Sequence, residues 1–204
     1  SYESTLPVTM TVIPAAPVVA VSVTDINPTV TAVTGISKRL VPGFSRAQVS
    51  VHAQGQKGAS IQSIQVRQGN RTFPGSCILS PVGEAPIQVT VRDSRGWSTA
   101  QKAQVNILPY TAPTCRVVPA APTGQGDLTL TVTGSYYPSS LGVTPNTLQV
   151  AYQYRAVTDS EFGPWQTMTV SKTGNAYTAQ AALQLPDYRN TYLIRARATD
   201  VLTQ

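Results

Sequence analysis

The chain has 204 residues and a mass of 21.7 kDa, with 41% hydrophobic and only 12% charged residues. This balance excludes a disordered, highly charged protein, and the length suits one large domain or two of ordinary size. The 15 basic residues outnumber the 9 acidic ones and give a formal net charge of +6, but they are scattered along the sequence. Because nucleic-acid-binding proteins usually cluster their basic residues on one face, we expect no nucleic-acid binding.

Alternating apolar and polar residues predict strands along most of the chain. The 16 prolines disfavour helices, β-branched residues fit a pleated sheet, and no segment has a convincing amphipathic helical period. In the first half, short strands separated by turn residues are typical of a β-sandwich. They are predicted at 19–23, 29–33, 47–53, 61–66, 70–73, 87–91 and 101–107.

The last two of these strands predict a hairpin that leads into a linker. Residues 93–96 make the turn, where a glycine adopts a positive φ at little cost. Pro109 and Pro113 then end the strand pattern. We therefore predict an inter-domain joint at Leu108, Pro109 and Tyr110.

The same pattern occurs near the start of the chain. Residues 8–12 alternate and lead into Pro14, as residues 105–107 lead into Pro109, and the two prolines are 109 − 14 = 95 positions apart. This spacing is close to the roughly 100 residues of an immunoglobulin-like domain. It indicates an internal repeat.

The second half predicts a further sandwich, with strands at 128–133, 148–154, 165–170, 176–183 and 192–198. Residues 199–203 parallel the turn at 92–96, so we expect this unit to lack a counterpart of the strand at 101–107. Two explanations stay open. The chain is a fragment of a longer array, which we favour because repeat ends normally carry a cap, or the leading strand of one copy completes the last domain of another.

The end of this second sandwich carries a specific motif. Leu185 and Pro186 precede the run YLIRARA at 192–198, which resembles the fibronectin type III pattern of a Leu-x-Pro-like corner followed by Tyr-x-aliphatic-Arg-aliphatic-x-Ala. In that family the tyrosine forms a tyrosine corner, in which its hydroxyl binds nearby backbone. The resemblance implies this role for Tyr192, while the direct Leu185-Pro186 step departs from the usual spacing.

The predicted fold class is all-β, with tandem antiparallel β-sandwiches. Residues 1–14 are predicted to be the terminal strand of a preceding unit. Residues 15–110 form an immunoglobulin-like sandwich, and residues 111–204 form a fibronectin type III-like sandwich that lacks its last strand.

Residues that carry chemistry are few. His52 is the single histidine and lies on the polar face of a predicted strand, and the closest acidic pair, Asp159 and Glu161, lies in a turn-like loop. We therefore predict no catalytic site, no metal site, no cofactor and no enzymatic activity. Cys77 and Cys115 lie on opposite sides of the linker, which favours free, mostly buried thiols over a disulfide.

Two tyrosines are the best candidates for a surface contact. Tyr136 and Tyr137 lie in a long loop, at 136–146, that is rich in Pro, Ser and Gly. Aromatic side chains on loops commonly anchor ligands, so we predict these two as surface-binding residues. No segment approaches the roughly 18 apolar residues of a membrane-spanning helix, and we expect no membrane insertion.

Several longer phrases of the sequence point to one protein family. They are SIQSIQVRQGNRTFPG and IQVTVRDSRGWSTAQKAQVNILPYTAP in the first unit, and LTLTVTGSYY, LQVAYQYR and YLIRARATD in the second. The most distinctive part is Asp93-Ser94-Arg95-Gly96 with the Leu108-Pro109-Tyr110 step. In these phrases nearly the whole chain resembles a family of minor structural proteins in the tails of long-tailed bacteriophages.

The resemblance implies a location in a virion tail tip, baseplate or fibre, where such tandem domains act as spacers or weak adhesins. The implied partners are other phage tail proteins, a host cell-wall glycan or both, and a homo-oligomer stays open. The alternative is a linker or carbohydrate-binding module of a bacterial surface or secreted carbohydrate-active protein, which would be extracellular or at the bacterial surface.

Overall fold

The computed structural model describes residues 2–7, 15–118, 126–187 and 189–204. The predicted terminal strand within residues 1–14 falls mainly on residues 8–14, which lie outside the described residues. The described chain consists of β-sheets that are almost entirely antiparallel, together with one short helix. This confirms the predicted all-β fold class of tandem β-sandwiches.

The first unit is a sandwich of two antiparallel sheets. Its elements are β1 (Val18–Asp25), α1 (Pro28–Thr34), β2 (Arg39–Leu40), β3 (Ala47–Gln54), β4 (Ile61–Gln68), β5 (Arg71–Pro74), β6 (Cys77–Leu79), β7 (Ile87–Asp93), β8 (Ser98–Lys102) and β9 (Asn106–Ile107). One sheet has the order β1-β3-β6, and the other has the order β5-β4-β7-β8. Along β7, Ile87, Val89 and Val91 are buried between exposed polar residues, because successive side chains of a strand face opposite sides.

Helix α1 stands where a strand was predicted at 29–33, so that prediction is wrong. Asn27 caps the helix by accepting a backbone hydrogen bond of 3.1 Å from the first turn, and Gly35 ends it with a φ of 74°. The β-branched residues of this segment favour a strand only weakly. Val30 and Val33, three positions apart, are both buried when the segment is helical, and this burial outweighs the local preference.

Two further strands differ from the prediction. The segment at 101–107 is not one strand, because β8 ends at Lys102 and β9 then pairs in parallel with β2 instead of with β7. The sequence pattern also did not predict β6, whose three residues pair with the start of β3. The chain leaves the first unit beside β2, where the Leu108 N–H donates to the Leu40 carbonyl at 2.9 Å.

The second unit has the same two-sheet architecture. Its strands are β10 (Arg116–Val118), β11 (Asp127–Ser135), β12 (Gln149–Ala156), β13 (Gln166–Thr167), β14 (Thr169–Thr173), β15 (Ala176–Gln184) and β16 (Tyr192–Thr199). They form the sheets β10-β11-β15-β14 and β13-β12-β16. The strand predicted at 165–170 is therefore split, because the chain changes sheet at the buried Met168.

Each unit has its own apolar core. The buried core of the first unit is formed by Val23, Leu40, Ala47, Val49, Val51, Val66, Leu79, Val82, Ile87, Val89 and Val91. The buried core of the second is formed by Leu128, Leu130, Val132, Tyr136, Leu148, Val150, Tyr152, Met168, Tyr177, Ala179 and Leu183.

Asp93 organises the turn between β7 and β8. Its fully buried carboxylate accepts hydrogen bonds from the Arg95 N–H at 3.0 Å and the Trp97 N–H at 2.9 Å. The Arg95 guanidinium pairs with the same carboxylate at 2.9 Å and also donates to the Ala15 carbonyl at 2.9 Å. Burial alone would raise the pKa of Asp93, but the bonds from Arg95 and Trp97 outweigh it and hold the pKa below its usual value.

The lowered pKa predicts an acid-dependent contribution of Asp93 to stability. Because the folded-state pKa lies below the unfolded one, the contribution is complete above the ordinary Asp pKa of about 3.9 and is lost as the pH falls through the folded value. We expect Asp93→Asn to lower the free energy of unfolding near neutral pH, and the gap to the native protein to shrink in acid. Urea unfolding from about pH 7 to about pH 2 measures this gap.

Asp127→Asn is the matched control, since it removes a carboxylate at an exposed position of β11. A gap for Asp93→Asn that stays constant down to the lowest pH would contradict the prediction.

Candidate functional site

A third apolar cluster joins the two sandwiches. Its buried members are Val30, Val33, Val41, Leu108, Tyr110 and Leu141, and Phe44, Tyr137, Val201 and Leu202 pack against them. Leu141 has no exposed surface, although it lies in the long loop at 136–146 of the second unit. This loop is therefore a docking element between the units, and we call the cluster the joint.

Hydrogen bonds fix the loop against the end of α1. The Arg39 guanidinium donates to the Leu141 carbonyl at 3.4 Å and to the Thr34 carbonyl at 3.2 Å. The Thr144 N–H donates to the Val33 carbonyl at 3.3 Å. The last carbonyls of a helix have no partner within the helix, so these contacts satisfy groups that α1 leaves free.

Gly142 permits the close approach of loop and helix. Its φ of 151° is a backbone conformation that side chains disfavour, and a Cβ built there would overlap the Thr34 carbonyl oxygen and the Arg39 Nη1 atom. The loop backbone thus touches the helix end directly.

A buried carboxylate at the centre of the joint binds both the linker and the second unit. Asp200 has no exposed surface and accepts a hydrogen bond from the Tyr110 hydroxyl at 2.9 Å and from the Asn146 amide at 3.1 Å. Its other oxygen accepts from the Leu202 N–H and the Thr203 hydroxyl, both at 3.0 Å. Burial, then the hydrogen bond to Asp200 and its charge, raise the pKa of Tyr110, so this hydroxyl stays a donor.

The residues predicted for the joint occupy two kinds of position. Leu108 and Tyr110 are buried in the apolar cluster, whereas Pro109 between them is exposed. Sequence reasoning missed Gly142 and Asp200. The one available signal was that Asp200 comes directly after β16 as Asp93 ends β7, and at such a turn position a carboxylate accepts backbone N–H groups.

Tyr136 and Tyr137 do not form an exposed loop pair, which corrects the surface-binding prediction. Tyr136 is only 7% exposed and belongs to the core of the second unit. Tyr137 is half-buried and contacts Tyr110 edge to face in the joint, with ring centres 5.7 Å apart. The loop folds inward because Tyr136 buries apolar area in the core of the second unit, and Tyr137 and Leu141 bury it in the joint.

Tyr192 lies at the start of β16 and binds the turn before it. Its hydroxyl accepts a hydrogen bond from the Asp187 N–H at 3.1 Å. Its ring lies edge to face with that of Tyr154, at 6.0 Å between centres. The contact joins a strand start to backbone five residues upstream, which is the contact that a tyrosine corner makes.

The second unit also has an open cleft of about 520 Å³ beside this corner. Tyr154, Phe162 and Tyr192 supply apolar surface, and Asp159 and Glu161, the closest acidic pair of the sequence, line the same cleft. Aromatic faces combined with polar acceptors can bind a small polar molecule such as a sugar.

Other chemistry-bearing residues lie apart. Within the described ranges, no three His, Cys, Asp or Glu side chains gather as metal ligands, and no helix is long and apolar enough to cross a membrane. His52 is exposed on β3. Both cysteines are free; burial raises the pKa of the half-buried Cys77, but Cys115 is exposed, so the prediction of mostly buried thiols is wrong for Cys115.

Similarity to known proteins is weak. No protein-family model and no curated protein matches the chain. It is similar to a crystal structure of Dpr2 Ig1-Ig2 in complex with DIP-Theta Ig1-Ig3, with 12% sequence identity and a TM-score of 0.34. The match covers 91% of this chain and 63% of the matched chain, so this chain spans less than two thirds of the matched chain's length.

Gly142→Ala tests the close approach in the joint. We expect it to separate the loop from α1 and to lower the free energy of unfolding by about 1–3 kcal/mol, because the new methyl group meets backbone that has no room to move. Small-angle X-ray scattering should show a larger radius of gyration, and the Thr144 amide should exchange its hydrogen faster. Gly174→Ala is the control, since Gly174 also has a positive φ but nothing lies within 4 Å of an added Cβ. An equal change in scattering for both variants would refute this account of Gly142.

Tyr110→Phe tests the buried hydrogen bond. The ring still fills the joint, but a buried carboxylate oxygen loses a donor, so we expect the free energy of unfolding to fall by about 1–3 kcal/mol. Tyr2→Phe removes the same hydroxyl from a fully exposed ring and should change stability by less than about 0.5 kcal/mol. Urea unfolding of both variants measures the difference, and equal stabilities would contradict the prediction.

Proposed function

We propose that the chain is a non-enzymatic structural or host-adhesion module of a bacteriophage tail, in which two β-sandwiches act as a stiff spacer. The observation that carries this proposal is the joint. Tandem domains joined only by a flexible linker reorient freely, whereas a shared apolar cluster with a buried carboxylate favours one relative orientation. A spacer that projects another domain needs such an orientation.

The hydrogen bonds that the acidic residues accept support a structural role for the chain. Carboxylates are common catalytic groups, but here Asp25, Asp93, Asp187 and Asp200 each accept a backbone N–H within two residues of their own position. Such bonds stabilise turns. These four residues are thus engaged in holding the backbone.

The phage setting is supported by the resemblance of the sequence phrases to tail proteins. The most distinctive parts of this resemblance are the strand and turn around Asp93 and the Leu108-Pro109-Tyr110 step. These segments take part in the contacts that hold the linkers of the two units. In this setting the partners would be other tail proteins, a host cell-wall glycan or both.

The cleft of the second unit favours a second candidate function. Its aromatic lining fits a linker or carbohydrate-binding module of a bacterial surface or secreted carbohydrate-active protein. This candidate and the first share the spacer architecture and differ in location.

Gold-labelled antibodies raised against the purified chain separate the two locations. We expect electron micrographs of purified virions to show label on tails and none on heads, because the proposed module is a tail component. Antibody absorbed with the purified chain is the control and should give no label. Label on the surface of uninfected bacteria, with bare virions, would overturn the phage assignment and favour the second candidate.

A further inference from the structure

The outer face of the sheet β13-β12-β16 carries alternating guanidinium groups and aromatic rings. Arg195 and Arg197 lie on the side of β16 that faces away from the core, and both are exposed. The guanidinium carbon of Arg195 lies 4.1 Å from the ring centre of Phe162, and that of Arg197 lies 4.3 Å from the ring centre of Trp165. Arg195 is also 5.5 Å from Trp165, so the order is Phe162, Arg195, Trp165, Arg197. We call these four residues the ladder.

The two arginines of the ladder have no partner for their charge. Neither Arg195 nor Arg197 donates a side-chain hydrogen bond or forms an ion pair with any described residue. All nine Asp and Glu residues lie within the described ranges. Nearby Arg155 differs, because its guanidinium donates to the carbonyls of Val157 and Asp159 and so holds the loop.

Stacking prepares these arginines to bind anions. A guanidinium held over an aromatic ring loses less side-chain freedom when it binds, and its N–H groups remain available as donors. Residues two apart on a strand are about 6.6–6.8 Å apart, so the two groups present donors in a row on one face. A planar fork of donors matches the oxygens of a phosphate group.

We propose that the ladder is a binding site for a phosphodiester-linked polyol or sugar polymer of the kind found in bacterial walls. Arg195 and Arg197 would contact successive phosphates, while Phe162 and Trp165 position them. This names a ligand class for the adhesion role and rests on the proposed function for its biological setting. The formal net charge of +6 adds a general attraction to such a polymer.

The arrangement favours this polymer over a nucleic acid. Single-stranded nucleic acids bind by stacking bases on open aromatic faces. Here each ring of the ladder has a guanidinium within 4.3 Å of its centre, so the rings are engaged by cations. Asp159 and Glu161 line the cleft beside Phe162 and repel an anionic chain, so the polymer would run from Arg195 over Trp165 to Arg197 and away from the cleft.

Titration calorimetry of the full chain with poly(glycerol phosphate) at several salt concentrations tests the site. We expect Arg195→Gln/Arg197→Gln to weaken binding at least about tenfold and to reduce the slope of log affinity against log salt by about 1.5, because two phosphate contacts are lost. Arg46→Gln/Arg92→Gln removes the same net charge from exposed positions of the first unit and should change affinity less than about twofold.

Two further variants distinguish a specific binding site from non-specific electrostatic attraction and from a folding defect. Arg195→Lys/Arg197→Lys keeps both charges and the fold but loses the planar fork, so we expect intermediate affinity. Trp165→Ala keeps every charge, and we expect weaker binding because Arg197 is no longer held. Thermal unfolding checks that each variant is folded.

Three outcomes would overturn the proposal: no binding by the native chain, equal losses in the two glutamine double variants, or tighter binding of single-stranded DNA that depends on the same arginines. If the chain binds the polymer in solution but the antibody does not label virion tails, the ladder site stands and only the phage location is refuted.

Discussion

The buried carboxylate of Asp200 is the interaction on which the arrangement of the two sandwiches depends. A buried carboxylate without partners is costly, so the Tyr110 hydroxyl and the Asn146 amide must both stay within hydrogen-bond distance. Tyr110 belongs to the linker and Asn146 to the docking loop. One side chain therefore holds the entry of the second unit and the loop that contacts the first, and either can move away only by taking one of two donors from the same buried oxygen.

The elements around this carboxylate follow from the same requirement. Helix α1 must present its C-terminal end, because the loop at Gly142 touches the helix backbone there and Arg39 bridges the two. The change of sheet at β9 carries the chain to this end of the first unit, so that Leu108 and Tyr110 are buried in the joint. Apolar burial supplies the attraction between the units, and the hydrogen bonds select one orientation.

Much of the fold could be predicted from the sequence, because alternation along strands such as β7 and β15 reflects which side faces a core. Helix α1 could not be predicted, since Val30 and Val33 are buried by residues distant in sequence, among them Leu108, Tyr110 and Leu141. The positions of Tyr136, in the core of its own unit, and Tyr137, in the joint, could not be predicted either, because loop composition indicates exposure only when nothing packs on the loop. The ladder is also a tertiary feature, because Trp165 and Arg197 are far apart in sequence and come together only in the folded chain.

The segment that leads into each unit is held by a related set of contacts. Asp93 ends β7 and Asp200 comes directly after β16, and each accepts the N–H two residues later. The residues held are Ala15 and Tyr110, which are 110 − 15 = 95 positions apart, the same interval as the two prolines before them.

In the first unit Arg95 connects Asp93 to the Ala15 carbonyl at an exposed position, whereas in the second the Tyr110 hydroxyl reaches Asp200 directly. In the second unit the tyrosine hydroxyl thus takes the place of the exposed arginine and the backbone carbonyl. Its hydrogen bond lies in an apolar cluster, where water competes less for it. The sequence interval that indicates a repeat therefore also separates the two residues that these turns hold.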